Sequence, residues 1–186
     1  MSDIVDLTAA ENRMRGALEA VRREFSTIRT GRASPSILDR VEVEAYGSRM
    51  PLRSVANVSV PEPRLLTVTP FDPGTIKAIE RAIDTSDVGL NPQNDGKIIR
   101  LPIPELTEER RRQFIRLARQ YAEEGRVAIR NIRRDEMRDL NELMNMGEIS
   151  EDDERRAEAE LQTLTNRYVE RVDAALSDKE SELSEV

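Results

Sequence analysis

Hydrophobic residues recur every three or four positions near the amino end of the chain. This alternating spacing places them on one stripe of an α-helix that packs against other helices, and the stripe consists of Met14, Leu18, Val21, Phe25 and Ile28. Thr8 and Glu11 have the spacing of a capping box, with Asp3 as an alternative start. Glycine favours helix ends, so we expect this helix to stop near Thr30 and Gly31.

Two more helices are predicted in the carboxyl-terminal part of the chain. At about 100° per residue, residues 107–146 gather their apolar side chains on one side, and these are Phe114, Leu117, Tyr121, Ala128, Ile132, Leu140 and Leu143. A turn at residues 145–147 leads to Ser150, which is expected to cap a third helix. The apolar stripe of that helix contains Ala157, Leu161, Leu164, Tyr168, Val172, Ala175 and Leu183. Three such stripes predict an antiparallel three-helix bundle.

Residues 31–104 follow a different pattern and contain all nine prolines of the chain, so no long helix can cross them. Short apolar runs predict strands there, namely Val41, Val43 and Ala45; Val55, Val58 and Val60; Leu65, Leu66 and Val68; and Ile98, Ile99 and Leu101. One short helix with Ile76, Ile79 and Ile83 on its buried side is capped by Asp72 or Thr75. Residues 91–96 are typical of an exposed turn.

The predicted fold class is therefore α+β, with a small β/α/β domain inserted into a three-helix bundle. The bundle comprises residues 1–30 and 105–186, and the insert comprises residues 31–104. Two connections join them, one at Thr30 and Gly31 and the other at Pro102, Ile103 and Pro104. Glycine on one side and proline on the other predict a hinge of limited freedom, although an ordinary pair of loops would have the same composition.

Composition narrows the classes of function. The chain has no histidine and no cysteine, which excludes a Ser-His-Asp triad, a cysteine nucleophile and metal sites with imidazole or thiolate ligands. It also lacks the glycine-rich motifs that hold nucleotide phosphates. We therefore expect a protein that is not an enzyme, with no cofactor, no bound metal and no small-molecule substrate. No signal peptide or membrane-spanning run is visible, so the cytoplasm is the expected location.

Arginines form a row on the predicted second helix, opposite its apolar side. The row extends over roughly 30 Å at 1.5 Å per residue and consists of Arg112, Arg116, Arg119, Arg126, Arg130 and Arg133. Residues 108–134 contain nine arginines and four glutamates, a local charge of +5 within a chain of net charge −7. Such a row is either a solvated face with partners one turn away or a binding face for phosphate-rich RNA.

Four segments of the chain together resemble the bacterial ribosome recycling factor family. They are IRTGRASP at 28–35, SDVGLNP at 86–92, LTEERR at 106–111 and VAIRNIRR at 127–134. The resemblance follows chain order and covers essentially the whole sequence. It implies an L-shaped, non-enzymatic translation factor that binds the ribosome after termination. With elongation factor G and GTP, such a factor splits the ribosome into subunits and releases messenger and transfer RNA.

The resemblance also implies which residues bind. The bundle is expected to lie along ribosomal RNA of the large subunit, and the insert is expected to face elongation factor G. The matching RNA-binding positions are Arg130, Arg133 and Arg134 in the last segment, Arg110 and Arg111 at the helix start, and Arg29 and Arg32 beside Gly31. Helix geometry places Arg110 nearer the apolar side, so it either binds RNA or braces the hinge through a carboxylate. Arg112, Arg116, Arg119 and Arg126 are assigned to RNA binding from helix geometry alone. We expect the protein to be a monomer.

A coiled-coil adaptor is the alternative from a different class of protein. Its apolar stripes would pair with the helices of another protein instead of with each other. Salt separates the two possibilities, because an apolar interface persists at ionic strengths that weaken arginine–phosphate contacts.

Overall fold

The computed structural model of the chain describes residues 5–185, so the alternative helix start at Asp3 lies outside the described part. These residues form two compact units. The first consists of two chain segments, one that ends at Arg29 and one that begins at Thr107, and the second spans Thr30–Leu106. The helices are α1 Thr8–Thr27, α2 Leu52–Val55, α3 Ile76–Asp84, α4 Glu108–Asn145 and α5 Glu151–Ser184. The strands are β1 Glu42–Ala45, β2 Ser48–Pro51, β3 Ala56–Glu62, β4 Leu65–Pro70, β5 Gln93–Asn94 and β6 Ile99–Pro102. None of the described helices is long and apolar enough to cross a membrane.

Helices α1, α4 and α5 form the predicted bundle, and the α+β class is confirmed. Helix α4 packs against both other helices, and α1 also contacts α5. Contacts between α4 and α5 run from Asn141–Glu154 near their connecting turn to Arg119–Glu180 at the far end. The residue numbers rise on one helix as they fall on the other, so the pair is antiparallel.

The apolar stripe of α1 and its start at Thr8 are as predicted, but the capping role of Thr8 and the carboxyl end differ. All five predicted stripe residues are buried. Thr8 is not a cap, because it is the first helical residue and its N–H donates to Asp6 Oδ1 at 2.9 Å. Hydrogen bonds from the Thr8 hydroxyl and N–H lower the pKa of Asp6. The helix ends at Thr27 rather than near Gly31, since Ile28 is already extended at φ −80° and ψ 120°.

The buried face of α4 lies at a different angle around the helix axis from the predicted face. Its buried residues are Ala118, Ala122, Gly125, Ile129, Ile132 and Leu140. Only Ile132 and Leu140 belong to the predicted set, whereas Phe114, Leu117, Tyr121, Ala128 and Leu143 are half-buried. At about 100° per residue, the observed stripe lies roughly 60° around the helix from the predicted one. The large residues therefore flank the contact, and small residues occupy its centre.

Gly125 explains why small residues lie at the centre. A Cβ atom at this position would lie 2.2 Å from Val21 Cγ2, closer than any van der Waals contact allows. Helix α1 thus approaches the backbone of α4 where α4 has no side chain, as at other close helix crossings between small residues. This approach fixes how α4 is turned about its axis.

Helix α5 begins and packs as predicted. Ser150 caps it, and Ser150 and Asp153 form a complete capping box. Hydrogen bonds from the Ser150 hydroxyl and N–H lower the pKa of Asp153. All members of the predicted stripe are buried except Ala175, which is half-buried.

The unit Thr30–Leu106 contains the four predicted strands and the predicted helix, together with helix α2 and two strands that the pattern did not predict. Val55 was expected in a strand but is the last residue of α2. Strand β1 pairs with β2, while β3, β4, β6 and β5 form an antiparallel sheet in that order. Strand β2 lacks an alternating apolar pattern, and β5 occupies part of the turn predicted at residues 91–96. Ile76, Ile79 and Ile83 of α3 are buried in an aliphatic core, as expected. Asp72 caps the 3₁₀ turn before α3, and its side chain accepts from the Gly74 N–H.

The turn at Pro63 and Arg64 forms hydrogen bonds with both chain segments that connect this unit to the bundle. The Ala33 N–H donates to the Pro63 carbonyl at 2.7 Å, and the Ile103 N–H donates to the Arg64 carbonyl at 2.8 Å. Arg64 also forms an ion pair with Glu105. Pro102 is the last residue of β6. Gly31 has a φ of +77°, in the left-handed region that favours glycine.

Gly125→Ala should lower the free energy of unfolding by about 1–3 kcal/mol, because the added methyl group overpacks the α1–α4 contact. Gly16→Ala is the matched control, since Gly16 lies on the exposed side of α1 with no atom within 4 Å of an added Cβ. This control should stabilise the protein by up to about 1 kcal/mol through helix propensity. Urea unfolding measures both, and an equal effect of the two substitutions would contradict the close approach.

Candidate polyanion-binding face

The structure places most of the predicted arginines on the surface. Those that are exposed are Arg29, Arg32, Arg110, Arg112, Arg116, Arg119, Arg130 and Arg134. Arg111, Arg126 and Arg133 are half-buried. The prediction that Arg126 and Arg133 lie opposite the apolar side is therefore wrong. The rotation of α4 explains the error, because these two residues directly follow the buried Gly125 and Ile132 and lie at the edge of the contact.

Carboxylates of α5 neutralise one edge of the row. Arg126 Nε donates to Asp173 Oδ1 at 2.7 Å, and its Nη1 donates to Glu123 Oε2 at 2.9 Å. Arg119 Nε donates to Glu180 Oε1 at 2.5 Å. The hydrogen bond to Glu180 raises the pKa of Arg119. Burial opposes the charge of Arg126, but its two carboxylates outweigh that effect and raise its pKa. The pairs with Asp173 and Glu180 join α4 to α5, whereas Glu123 belongs to α4 itself, and all three carboxylates leave less charge for a ligand.

Two further arginines have partners within α4 itself. Arg112 pairs with Glu108 one turn earlier. Arg130 Nη1 lies 3.4 Å from Glu123 Oε1, a carboxylate that also binds Arg126. The local charge of +5 is therefore partly neutralised within α4 at these positions. Exposed pairs of this kind contribute about 0–1 kcal/mol, so a phosphate group can replace the carboxylate at little cost.

Four of the predicted arginines have no carboxylate partner within residues 5–185, namely Arg110, Arg116, Arg133 and Arg134. Arg116 and Arg134 are five helical turns apart, so they lie on the same side of α4 at a separation of roughly 27 Å. Among the described residues, Arg134 donates only to the neutral amide oxygen of Asn131, at 2.5 Å. These two positions present uncompensated positive charge to solvent.

Arg133 and Arg110 differ from that pair. The Nε of Arg133 is buried and has no hydrogen-bond partner among the described residues, so its side chain lies along the bundle surface before reaching solvent. Arg110 is exposed, and no described carboxylate approaches it, which disfavours the bracing role. Arg29, Arg32 and Arg111 are each engaged in an interaction within the chain.

The geometry suits a ligand with repeated negative charges. Guanidinium groups bind phosphate oxygens through paired hydrogen bonds, and a straight helix presents them at a fixed rise. The carboxylates of α5 that neutralise one edge could not be recognised from α4 alone, because Asp173 and Glu180 lie on the next helix, 47 and 61 residues after Arg126 and Arg119. Antiparallel pairing of the two helices is the signal that would have found them.

Comparison with known proteins decides the family. The sequence model of the family described as ribosome recycling factor matches residues 21–183. The chain belongs to this family. A ribosome-recycling factor of Rubrobacter xylanophilus is 70% identical over 186 residues, covering 100% of both chains. One of Rhodospirillum centenum is 49% identical over 181 residues, covering 97% of this chain and 98% of the relative.

Solved structures of ribosome recycling factors have the same fold. A solution structure of a ribosome recycling factor superposes with a TM-score of 0.74 at 36% identity, covering 100% of both chains. A second match has a TM-score of 0.60 at 45% identity and covers 94% of this chain and 95% of the other. In that structure, the Thermus thermophilus ribosome recycling factor and Escherichia coli elongation factor G are bound to the E. coli post-termination complex. The family consists of translation factors and not of enzymes.

The arginines should differ in their effect on stability. Arg126→Gln should lower the free energy of unfolding by about 1–2 kcal/mol, because its side chain is only 19% exposed and donates to two carboxylates. Arg116→Gln should leave stability unchanged, since the Arg116 side chain is exposed and has no carboxylate partner in the described chain. Thermal unfolding measures the difference, and equal losses would show that the ion pairs across α4 and α5 do not hold the bundle together.

Proposed function

We propose that the chain binds the post-termination ribosome through the exposed arginines of α4. With elongation factor G and GTP, it then splits the ribosome into subunits and releases messenger and transfer RNA. Family membership supports the overall activity. The observation that carries the binding mode is the pair of uncompensated, exposed arginines Arg116 and Arg134 on one side of a 38-residue helix.

The partner of this face is ribosomal RNA of the large subunit. Phosphate-rich RNA matches arginines that repeat along a rigid helix, and each neutralised phosphate releases counterions. Arg130 and Arg112 join the face when RNA phosphates displace Glu123 and Glu108. Arg110, Arg111 and Arg133 extend it, and Arg29 and Arg32 contribute from the connection beside Gly31.

Splitting requires a stiff part and a hinge. The bundle is stiff because all three helices bury their stripes against one another. Ala33 and Ile103 are hydrogen-bonded to the turn at Pro63 and Arg64, so both belong to the insert and not to the hinge. On the first connection the hinge therefore consists of Thr30 and Gly31. On the other it lies beyond Pro102 and Ile103, from Pro104 onward. Elongation factor G pushes on the insert, and the bundle transmits the force. The protein acts as a monomer in the cytoplasm, where it meets ribosomes.

The coiled-coil adaptor loses its binding surface in this structure. Its apolar stripes are already buried between α1, α4 and α5. Within the described part of the bundle, the large hydrophobic side chains that remain exposed are Val127 and Met146, which lie far apart on α4 and after it. Two isolated side chains do not make a helix-docking stripe.

Ribosome co-sedimentation tests the binding face directly. The double substitution of Arg116→Gln and Arg134→Gln should weaken binding to post-termination ribosomes several-fold. It should also reduce the slope of log K against log salt by about 1 for each lost phosphate contact. The matched control is Arg155→Gln with Arg167→Gln, which removes the same charge from exposed positions of α5.

The control should bind like the unchanged protein. Equal weakening by the two double variants would mean that net charge matters and not the α4 face. Binding that persists undiminished at high salt would favour an apolar protein interface instead.

A further inference from the structure

The two aromatic side chains of the unit Thr30–Leu106 both lie on its surface. Tyr46 is 72% exposed and Phe71 is 67% exposed, although the core of the same unit is entirely aliphatic. Aromatic side chains are enriched in protein–protein interfaces, where they supply much of the binding energy. The placement therefore points to a binding surface and not to packing.

Asp72 links the Tyr46 side chain to the segment that carries Phe71. The Tyr46 hydroxyl donates to Asp72 Oδ2 at 2.7 Å, and the Gly74 N–H donates to Oδ1 at 2.9 Å. Phe71 precedes Asp72, and its own N–H donates to the Val55 carbonyl at 3.0 Å. The hydrogen bonds from Tyr46 and Gly74 lower the pKa of Asp72, so the carboxylate is ionised at neutral pH.

The backbone at Tyr46 is unusual for a tyrosine. Tyr46 and Gly47 form the two-residue connection between β1 and β2, with φ values of +54° and +77°. Asparagine and glycine are favoured in such turns, and a bulky residue at positive φ is strained. Because the ring is exposed, core packing does not compensate for this strain. Backbone strain of this kind clusters at functional positions.

We propose that Tyr46, Phe71 and Asp72, here called the aromatic patch, form the docking surface for elongation factor G. The patch receives an arginine or lysine side chain of that protein, whose charge is complementary to Asp72 and which also binds to aromatic ring faces. An ionised carboxylate repels phosphate, so the same chemistry disfavours RNA as the ligand. This inference rests on the proposed function, in which the insert faces the GTPase.

The test separates ribosome binding from factor-dependent splitting. Tyr46→Asn and Phe71→Ser should leave co-sedimentation with post-termination ribosomes unchanged when the factor is absent. At subsaturating elongation factor G with GTP, each should slow subunit splitting by about tenfold, as expected for a lost interface anchor. Excess factor should restore the rate. Asp72→Asn keeps an acceptor for Gly74 but removes the charge, and it should also slow splitting.

Val60→Ser is the matched control, because Val60 is another exposed hydrophobic residue of the same unit. It should split ribosomes like the unchanged protein. Thermal unfolding checks the fold, and Tyr46→Asn should keep or raise the midpoint because asparagine suits the turn.

The outcomes distinguish this inference from the proposed function. If the unchanged protein neither binds nor splits ribosomes, the proposed function fails. If it does both and the patch variants split ribosomes equally fast at every factor concentration, the proposed function stands and the patch assignment is overturned. Loss of ribosome binding by the patch variants without the factor would also overturn it, since the patch would then contact the ribosome.

Discussion

The close approach of α1 to α4 at Gly125 is the contact on which the surface of the bundle depends. A glycine at the crossing lets Val21 reach the backbone of α4, and Ala118 and Ala122 are buried on the same side of α4. Once that contact is fixed, α4 can no longer turn about its own axis. Its rotation decides which arginines reach solvent and which lie at the edge of the buried contact. Packing at a small residue thus determines the electrostatics of the opposite face.

Charge is arranged across the bundle and not only along the sequence. The acidic α5 lies beside the basic α4, so Asp173 and Glu180 neutralise Arg126 and Arg119. These pairs contribute to helix packing, and the unpaired arginines further around α4 remain available. A protein of net charge −7 can thereby present a basic face without an exposed positive charge at every arginine.

Much of the fold followed from the sequence pattern because the stripes of α1 and α5 are built from large aliphatic or aromatic residues. The pattern misplaced the stripe of α4 for the same reason. It gave weight to Phe114, Leu117 and Tyr121, whereas the contact is centred on alanines and a glycine, which carry little hydrophobic signal. Strands β2 and β5 were missed because they lack apolar alternation and gain their stability from cross-strand hydrogen bonds. For the candidate site, the arginines of the row are exposed as predicted except Arg126 and Arg133, and Arg110, which was placed nearer the apolar side, is also exposed.

Arginine modification followed by mass spectrometry tests most directly whether the rotation of α4 selects the binding face. In the free protein, phenylglyoxal should modify Arg116 and Arg134 readily and Arg126 slowly, because Arg126 is half-buried and doubly paired. On post-termination ribosomes, Arg116 and Arg134 should become protected while Arg155 on α5 stays reactive. Protection of Arg155 with continued reactivity of Arg116 and Arg134 would contradict the account.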